Sequence, residues 1–168
     1  MNLTPAQERF IDLWGSMGVL WGINRSMARI QAYIMLAPTP VSLDEVVEQL
    51  TVSKGNASMS LNELRNWGVI VHSHRPGDRR DYYSAEPDSW KMLFNIVKER
   101  KKREFDPGLN ALRDLLAEGE LDKTPSVAQR MGELEKYMAL FNRVADKFLV
   151  DEKKSRTALN FVNLFLAE

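Results

Sequence analysis

Apolar residues recur at three- and four-residue intervals along most of this chain, the pattern of helices that each bury one face. Thr4-Pro5-Ala6-Gln7 opens the first helix with an N-cap, a proline at the first helical position and a capping-box partner. Phe10, Ile11, Leu13, Trp14 and Met17 give it a broad apolar face. Gly15, Gly18 and Gly22 are expected to weaken this helix and end it before Asn24. Asn24 should cap a second helix, RSMARIQAYIML, which stops before Ala37-Pro38-Thr39-Pro40. Ser42 and Glu45 form another capping box, and the short helix they open has Leu43, Val46, Val47 and Leu50 on its inner side. Thr51-Val52-Ser53 is a tight turn into a further helix, capped by Ser53 and closed by Gly68. Two short helices on so tight a turn make a helix-turn-helix.

The period then changes. Val69-Ile70-Val71-His72-Ser73-His74-Arg75 is β-branched and reads as a strand, Pro76-Gly77-Asp78 as a turn, and Arg80-Asp81-Tyr82-Tyr83-Ser84 as the returning strand. Tyr82 and Tyr83 should point to opposite faces, one into the core and the other at least partly exposed. A hairpin with arginines at its tip, following a helix-turn-helix, describes a winged helix. Beyond it Asp88 or Ser89 starts a helix through Trp90, Leu93, Ile96 and Val97 into the run KERKKRE, Lys98 to Glu104, a charged stretch expected to lie on a solvated face. Asp106-Pro107 should restart the helix with a new cap, through Leu109, Leu112, Leu115 and Leu116, and Thr124-Pro125 repeats the device. Val127, Met131, Leu134, Met138, Phe141, Ala145 and Phe148 then alternate spacings of four and three, the seam of a coiled-coil-like contact. The end of the chain is very apolar, with Leu159, Phe161, Val162, Leu164, Phe165 and Leu166.

The expected class is therefore mainly α: a winged helix-turn-helix with a small β-hairpin wing, plus N- and C-terminal dimerisation helices. The expected division is 1–23 as an N-terminal helix serving the dimer or an effector, 24–87 as the winged helix, and 88–168 as the helical dimerisation region.

Composition narrows the function. With no cysteine among 168 residues, disulfides, thiolate metal sites and thiol redox switches are excluded. No apolar run reaches the length of a membrane span, and MNLTPAQERFIDLW does not read as a signal peptide, so a cytoplasmic protein is expected. Net charge is zero but uneven. Residues 1–52 hold 3 basic and 5 acidic groups, 53–104 hold 11 and 7, and 105–168 hold 9 and 11, giving −2, +4 and −2. A basic middle on a neutral chain suits a confined polyanion site.

That site centres on SKGNASMSLNELRNWGVI. Ala57, Leu61 and Leu64 form its buried stripe, while the opposite face carries Gly55, Met59, Asn62 and Asn66 in place of the charged residues usual on a solvated helix. A major groove admits a helix only if its leading face is small. Ser53, Lys54, Asn56, Ser58, Met59 and Asn62 are the expected DNA contacts on this helix, with Ser60 also offering a hydrogen bond. Arg75, Arg79 and Arg80 at the wing tip are expected to meet phosphates or a minor groove. Asp78 is expected to pair with one arginine and Asp81 with another.

The segment VSLDEVVEQLTVSKGNASMSLNELRNWGVI, followed by RPGDRRDYY, resembles the winged-helix regulators of the GbsR type, close relatives of the MarR repressors. The V-S-K-G-N-A-S helix start, the L-x-x-W-G-V helix end and the G-D-R-R-D-Y-Y wing carry the likeness, which covers about residues 24–84 and extends more weakly to the N-terminal Trp-Gly pairs. It implies a homodimeric regulator binding double-stranded DNA, with the helices outside the winged helix forming the dimer. Family members are often tied to choline or glycine betaine, which makes Trp14, Trp21 and Trp90 candidate effector-binding residues, since aromatic faces attract quaternary ammonium ions.

The expected function is a dimeric, sequence-specific transcriptional regulator, a repressor relieved by a small molecule. The alternative is a winged helix serving as a protein–protein module without DNA contact, which predicts an acidic or apolar reading face and no wing arginines. No catalytic residues and no cofactor are expected, because no nucleophile sits beside a base. His72 and His74 share a strand face, but no cysteine or nearby carboxylate pair completes a metal site, so none is expected there.

Overall fold

The structure, a computed structural model, describes residues 3–119 and 125–166. The expected cap Thr124 and the side chains of Leu164, Phe165 and Leu166 lie outside the described residues. The chain forms two compact units, residues 1–95 and 96–168.

In the first unit α1 (Pro5–Leu20) begins as expected: Thr4 Oγ1 accepts the Gln7 backbone N–H at 3.3 Å, and Gln7 Oε1 accepts that of Thr4 at 2.8 Å. The helix runs unbroken through Gly15 and Gly18 and, as expected, ends before Asn24. Gly15 and Gly18 are buried within it, and a Cβ on Gly18 would lie 2.6 Å from the Ala28 Cβ of α2 (Arg25–Leu36). They are absent side chains that let two helices approach, and the lost helix propensity, about 1 kcal/mol each, is offset by that contact. Asn24 caps α2 through its side-chain oxygen.

β1 (Val41–Ser42) is a strand too short for periodicity to reveal. It pairs antiparallel with β3 (Asp81–Ala85), which also pairs antiparallel with β2 (Ile70–His74), giving the order β1-β3-β2. β3 is therefore the central strand, and both its tyrosines are buried, Tyr82 at 2% and Tyr83 at 7% exposure. The expectation of one exposed tyrosine fails because side chains of neighbouring segments cover both faces of this small sheet. Arg75 lies over the Tyr82 ring, and His72 lies beside Tyr83.

Between β1 and β2 run α3 (Leu43–Leu50), with the Ser42–Glu45 capping box intact, and α4 (Lys54–Asn66), with Ser53 as N-cap. Backbone and hydroxyl hydrogen bonds from Ser42 hold the Glu45 carboxyl below its ordinary range. Gly68, at φ +67°, carries the chain out of α4. The unit's core gathers Ile30, Tyr33 and Ile34 of α2, Val46 of α3, Ala57, Leu61 and Leu64 of α4, and Val69. Each large aliphatic side chain buried there contributes about 1.5–3 kcal/mol.

α5 (Ser89–Arg100) is capped by Asp88, whose carboxylate accepts the backbone N–H of Trp90 at 3.0 Å. The expected restart at Asp106 does not occur. Arg100, Phe105 and Asp106 all keep helical backbone, and residues Lys101–Phe105 widen into a π-helical turn before α6 (Asp106–Ala117). Asp106 N–H reaches back five residues to the Lys101 carbonyl. Pro107 supplies no N–H, and the wider turn accommodates it without a break. Nor is the charged run wholly solvated: Lys101 is mostly covered, its Nζ 2.7 Å from both Asp106 and Asp146. Burial opposes its charge, but the hydrogen bonds of these two carboxylates win and the pKa rises.

α6 packs on α7 (Pro125–Leu149) with an Arg113–Glu135 ion pair at 2.7 Å, and Phe105 of the π-helical turn meets the Phe141 ring at 5.1 Å. Asp151 caps α8 (Glu152–Leu166) by accepting the Lys153 and Lys154 backbone N–H groups. The expected seam of α7 divides. Met131, Met138 and Ala145 are half-buried within the unit, whereas Leu134, Phe141 and Phe148 are exposed. Tyr137, Leu140 and Val144 join the exposed set, so Leu134, Tyr137, Phe141, Val144 and Phe148 make an outward heptad stripe.

Candidate nucleic-acid interface

α4 presents two faces because its sequence places apolar residues on one stripe only. Ala57, Leu61 and Leu64 are at most 1% exposed, whereas Met59 is 72% exposed and Lys54, Gly55, Asn62 and Asn66 are exposed with it. A Cβ at Gly55 would meet nothing within 4 Å, so this end of the helix faces open space. Ser60 is the exception among the expected polar contacts. It is buried, and its hydroxyl donates to Asn56 Oδ1 at 3.1 Å. Ser60 thus orients Asn56, leaving the Asn56 amide NH2 to donate outward. Lys54 Nζ lies 3.0 Å from Asp44 Oδ1, an exposed pair that a phosphate can displace.

The wing stands opposite. Between it and α4 lies a polar groove of about 330 Å³, lined by Ser42, Leu43, Asp44, Lys54, Ser58, Asn62, Arg65, Arg79, Arg80, Asp81 and Tyr83. The wing arginines differ in employment. Arg80 is locked to Asp78, with Nη2 2.6 Å from Oδ2 and Nε 3.1 Å from both oxygens. Asp78 also accepts the Arg80 backbone N–H and the Tyr82 hydroxyl. These bonds, the Arg80 guanidinium's first, hold the Asp78 carboxyl far below the ordinary range, so the turn stays charged and closed. Arg75 donates to the Pro40 carbonyl at 2.9 Å and lies 3.8 Å above the Tyr82 ring. Arg79 is exposed and, among the described residues, engages no ion pair or hydrogen bond.

Asp81 does not pair with an arginine. Its Oδ1 lies 2.8 Å from His72 Nε2 and 3.4 Å from His74 Nδ1, and the His72 hydrogen bond chiefly pulls its carboxyl below the ordinary range. Arg65 is the groove residue that inspection of the sequence missed. The signal was present, since Ser58, Asn62 and Arg65 follow one another at spacings of four and three.

Of the candidate effector residues, the structure brings two together. Trp14 and Trp21 meet edge to face at 6.2 Å, Phe10 stacks on Trp14 at 5.9 Å, and Trp14 Nε1–H donates to Gln31 Oε1 at 3.3 Å. Trp90 instead makes a ring contact with Phe94 at 6.4 Å, on its own helix. Within the second unit, a separate apolar cleft of about 500 Å³ is lined by Val97, Phe105, Met138, Phe141, Ala145 and Leu149, with Arg100, Lys101 and Glu104 at its edge.

The HTH-type transcriptional repressor GbsR of Bacillus subtilis (strain 168) is 27% identical over 116 residues, which span 69% of this chain and 64% of that protein. The likeness to that repressor supports a GbsR-type reading of the chain. YvaV of the same bacterium is 22% identical over 138 residues, or 79% of this chain and 77% of that one. The crystal structure of a transcriptional regulator shares the fold at a TM-score of 0.59, with 21% identity, covering 86% of this chain and 96% of its own. No protein-family model matches the chain. Among the described residues, no helix is long and apolar enough to cross a membrane.

Proposed function

We propose that this chain is a dimeric, sequence-specific DNA-binding regulator acting in the cytoplasm, a repressor released by a small molecule. The observation that carries it is the groove between α4 and the wing, where the hydrogen-bonding Ser58 and Asn62, flanked by Lys54 and Arg65, stand opposite a free arginine, Arg79. A protein–protein module would present an acidic or apolar face there. The homology to a transcriptional repressor supports the same reading.

The two kinds of contact separate experimentally. Arg79→Ala is expected to weaken binding to all duplexes alike and to lower the slope of log K against log salt by about one. Asn62→Ala is expected to relax preference at defined base pairs by about 1–3 kcal/mol, with the salt slope unchanged. Titrations of specific and random duplexes at several salt concentrations check both; equal effects on the two duplexes would end the reading of α4 as the sequence reader.

The effector site is proposed at Trp14, whose ring contacts both Phe10 and Trp21 and whose indole N–H donates to Gln31. Cation–π attraction contributes roughly 0.5–2 kcal/mol per ring to a quaternary ammonium ion. Choline or glycine betaine should therefore change tryptophan fluorescence and release DNA over one concentration range. Trp14→Ala should abolish both changes, and a fluorescence response without DNA release would separate binding from regulation. Release requires only that the ligand prefer a dimer whose α4 helices are wrongly spaced.

A further inference from the structure

The chain has two histidines and no cysteine, and the fold brings both histidines to one carboxylate. His72 and His74 are two apart on β2 and so share a sheet face. Antiparallel pairing sets Asp81 of β3 directly across from His74. Their three ligand atoms, one from each side chain, all lie within 4.8 Å of one another. His72 Nε2 and His74 Nδ1 approach the same carboxylate oxygen at 2.8 and 3.4 Å, and the two imidazoles meet edge to face with centroids 4.6 Å apart. None of the expected DNA contacts belongs to this cluster, although Asp81 lines the polar groove. We infer that His72, His74 and Asp81 form a binding site at the root of the wing for a borderline divalent cation of the zinc class.

The donor set fits that class. Two neutral imidazole nitrogens and one carboxylate suit zinc and its first-row neighbours better than magnesium or calcium, which prefer all-oxygen shells. Bonds of about 2.0–2.2 Å in a tetrahedral site put donor atoms roughly 3.3 Å apart. The observed separations lie on both sides of that value, so binding needs only side-chain adjustment within a preformed strand register. His74 and Asp81 are exposed and His72 half-buried, which leaves the cation an entry path and a fourth position for water. A bound ion would tie β2 to β3 and cancel the negative charge that Asp81 places in the polar groove.

Calorimetric titration of the untagged, EDTA-stripped full chain with zinc chloride tests this. The expected result is saturable binding of one ion per chain, weakened more than about tenfold by His72→Gln and by His74→Gln. Both variants should match the parent in EDTA by circular dichroism, since His74 is exposed and His72 only half-buried. The imidazole ¹H–¹⁵N signals of the unaltered chain provide a readout that needs no variant, and both rings should shift together on saturation. Absence of saturable binding, binding unchanged in either variant, or a shift of only one ring would overturn the assignment.

Discussion

Tyr137→Lys combined with Val144→Glu is expected to leave each chain folded, to make it monomeric, and to weaken binding to a two-half-site duplex by about 10²–10⁴-fold. The two positions are 72% and 59% exposed, so neither substitution disturbs a packed interior. They lie seven residues apart on the outward stripe of α7, two helical turns on one face. Leu134, Tyr137 and Val144 of this stripe are exposed, and in the proposed dimer the same stripe of a second copy would cover them. If the dimer reads an inverted repeat, two α4 helices enter successive major grooves about 34–36 Å apart, and each half-site raises the effective concentration of the other. Losing the dimer removes that linkage and leaves single-site affinity. Sedimentation equilibrium and operator titration on the same sample check the two halves of the expectation. A dimer that survives the double substitution, with unchanged binding, would move the interface away from α7.

The second large effect concerns stability. Leu61→Ala should cost about 2–5 kcal/mol, because a side chain 1% exposed is removed from a filled core and leaves a cavity. Two positions earlier, Met59→Ala should change stability by no more than about 0.5 kcal/mol and act on DNA binding alone. Natural domains are stable by about 5–15 kcal/mol, so the first change consumes a large share of the total and the second almost none. Chemical denaturation of both variants, read beside their affinity for a specific duplex, gives the comparison. Comparable losses of stability would mean that the two faces of α4 are not distinct.

Much of the winged helix could be read from residue order because its signals are local. Capping boxes at Thr4–Gln7 and Ser42–Glu45, the Asn24, Ser53 and Asp88 caps and the Gly68 stop each act within four residues, and each is present in the structure. The exposed face of α4 was legible for the same reason: helical period alone sorts Met59 and Asn62 from Leu61 and Leu64. Arg65 lies on that face too, but a basic residue in a last helical turn has an ordinary reason to be there, so its position does not mark it in the sequence.

What the sequence determined by itself, then, is the order of helices and strands and the small outward face of α4, both products of interactions along a few residues. Tertiary structure decided everything that depends on residues distant in the chain. The helix-weakening glycines became a close contact because α2 placed Ala28 against Gly18. Two tyrosines that alternation sent to opposite sides were both buried because β3 has a strand on each edge and side chains over both faces. Asp78 holds Arg80, two residues on, as its place in the turn led one to expect, whereas the hairpin register turned Asp81 from an arginine to both histidines. Local sequence sets which conformation each segment prefers. Which polar atoms meet is settled by strand register and helix approach, and these follow only when the whole core closes.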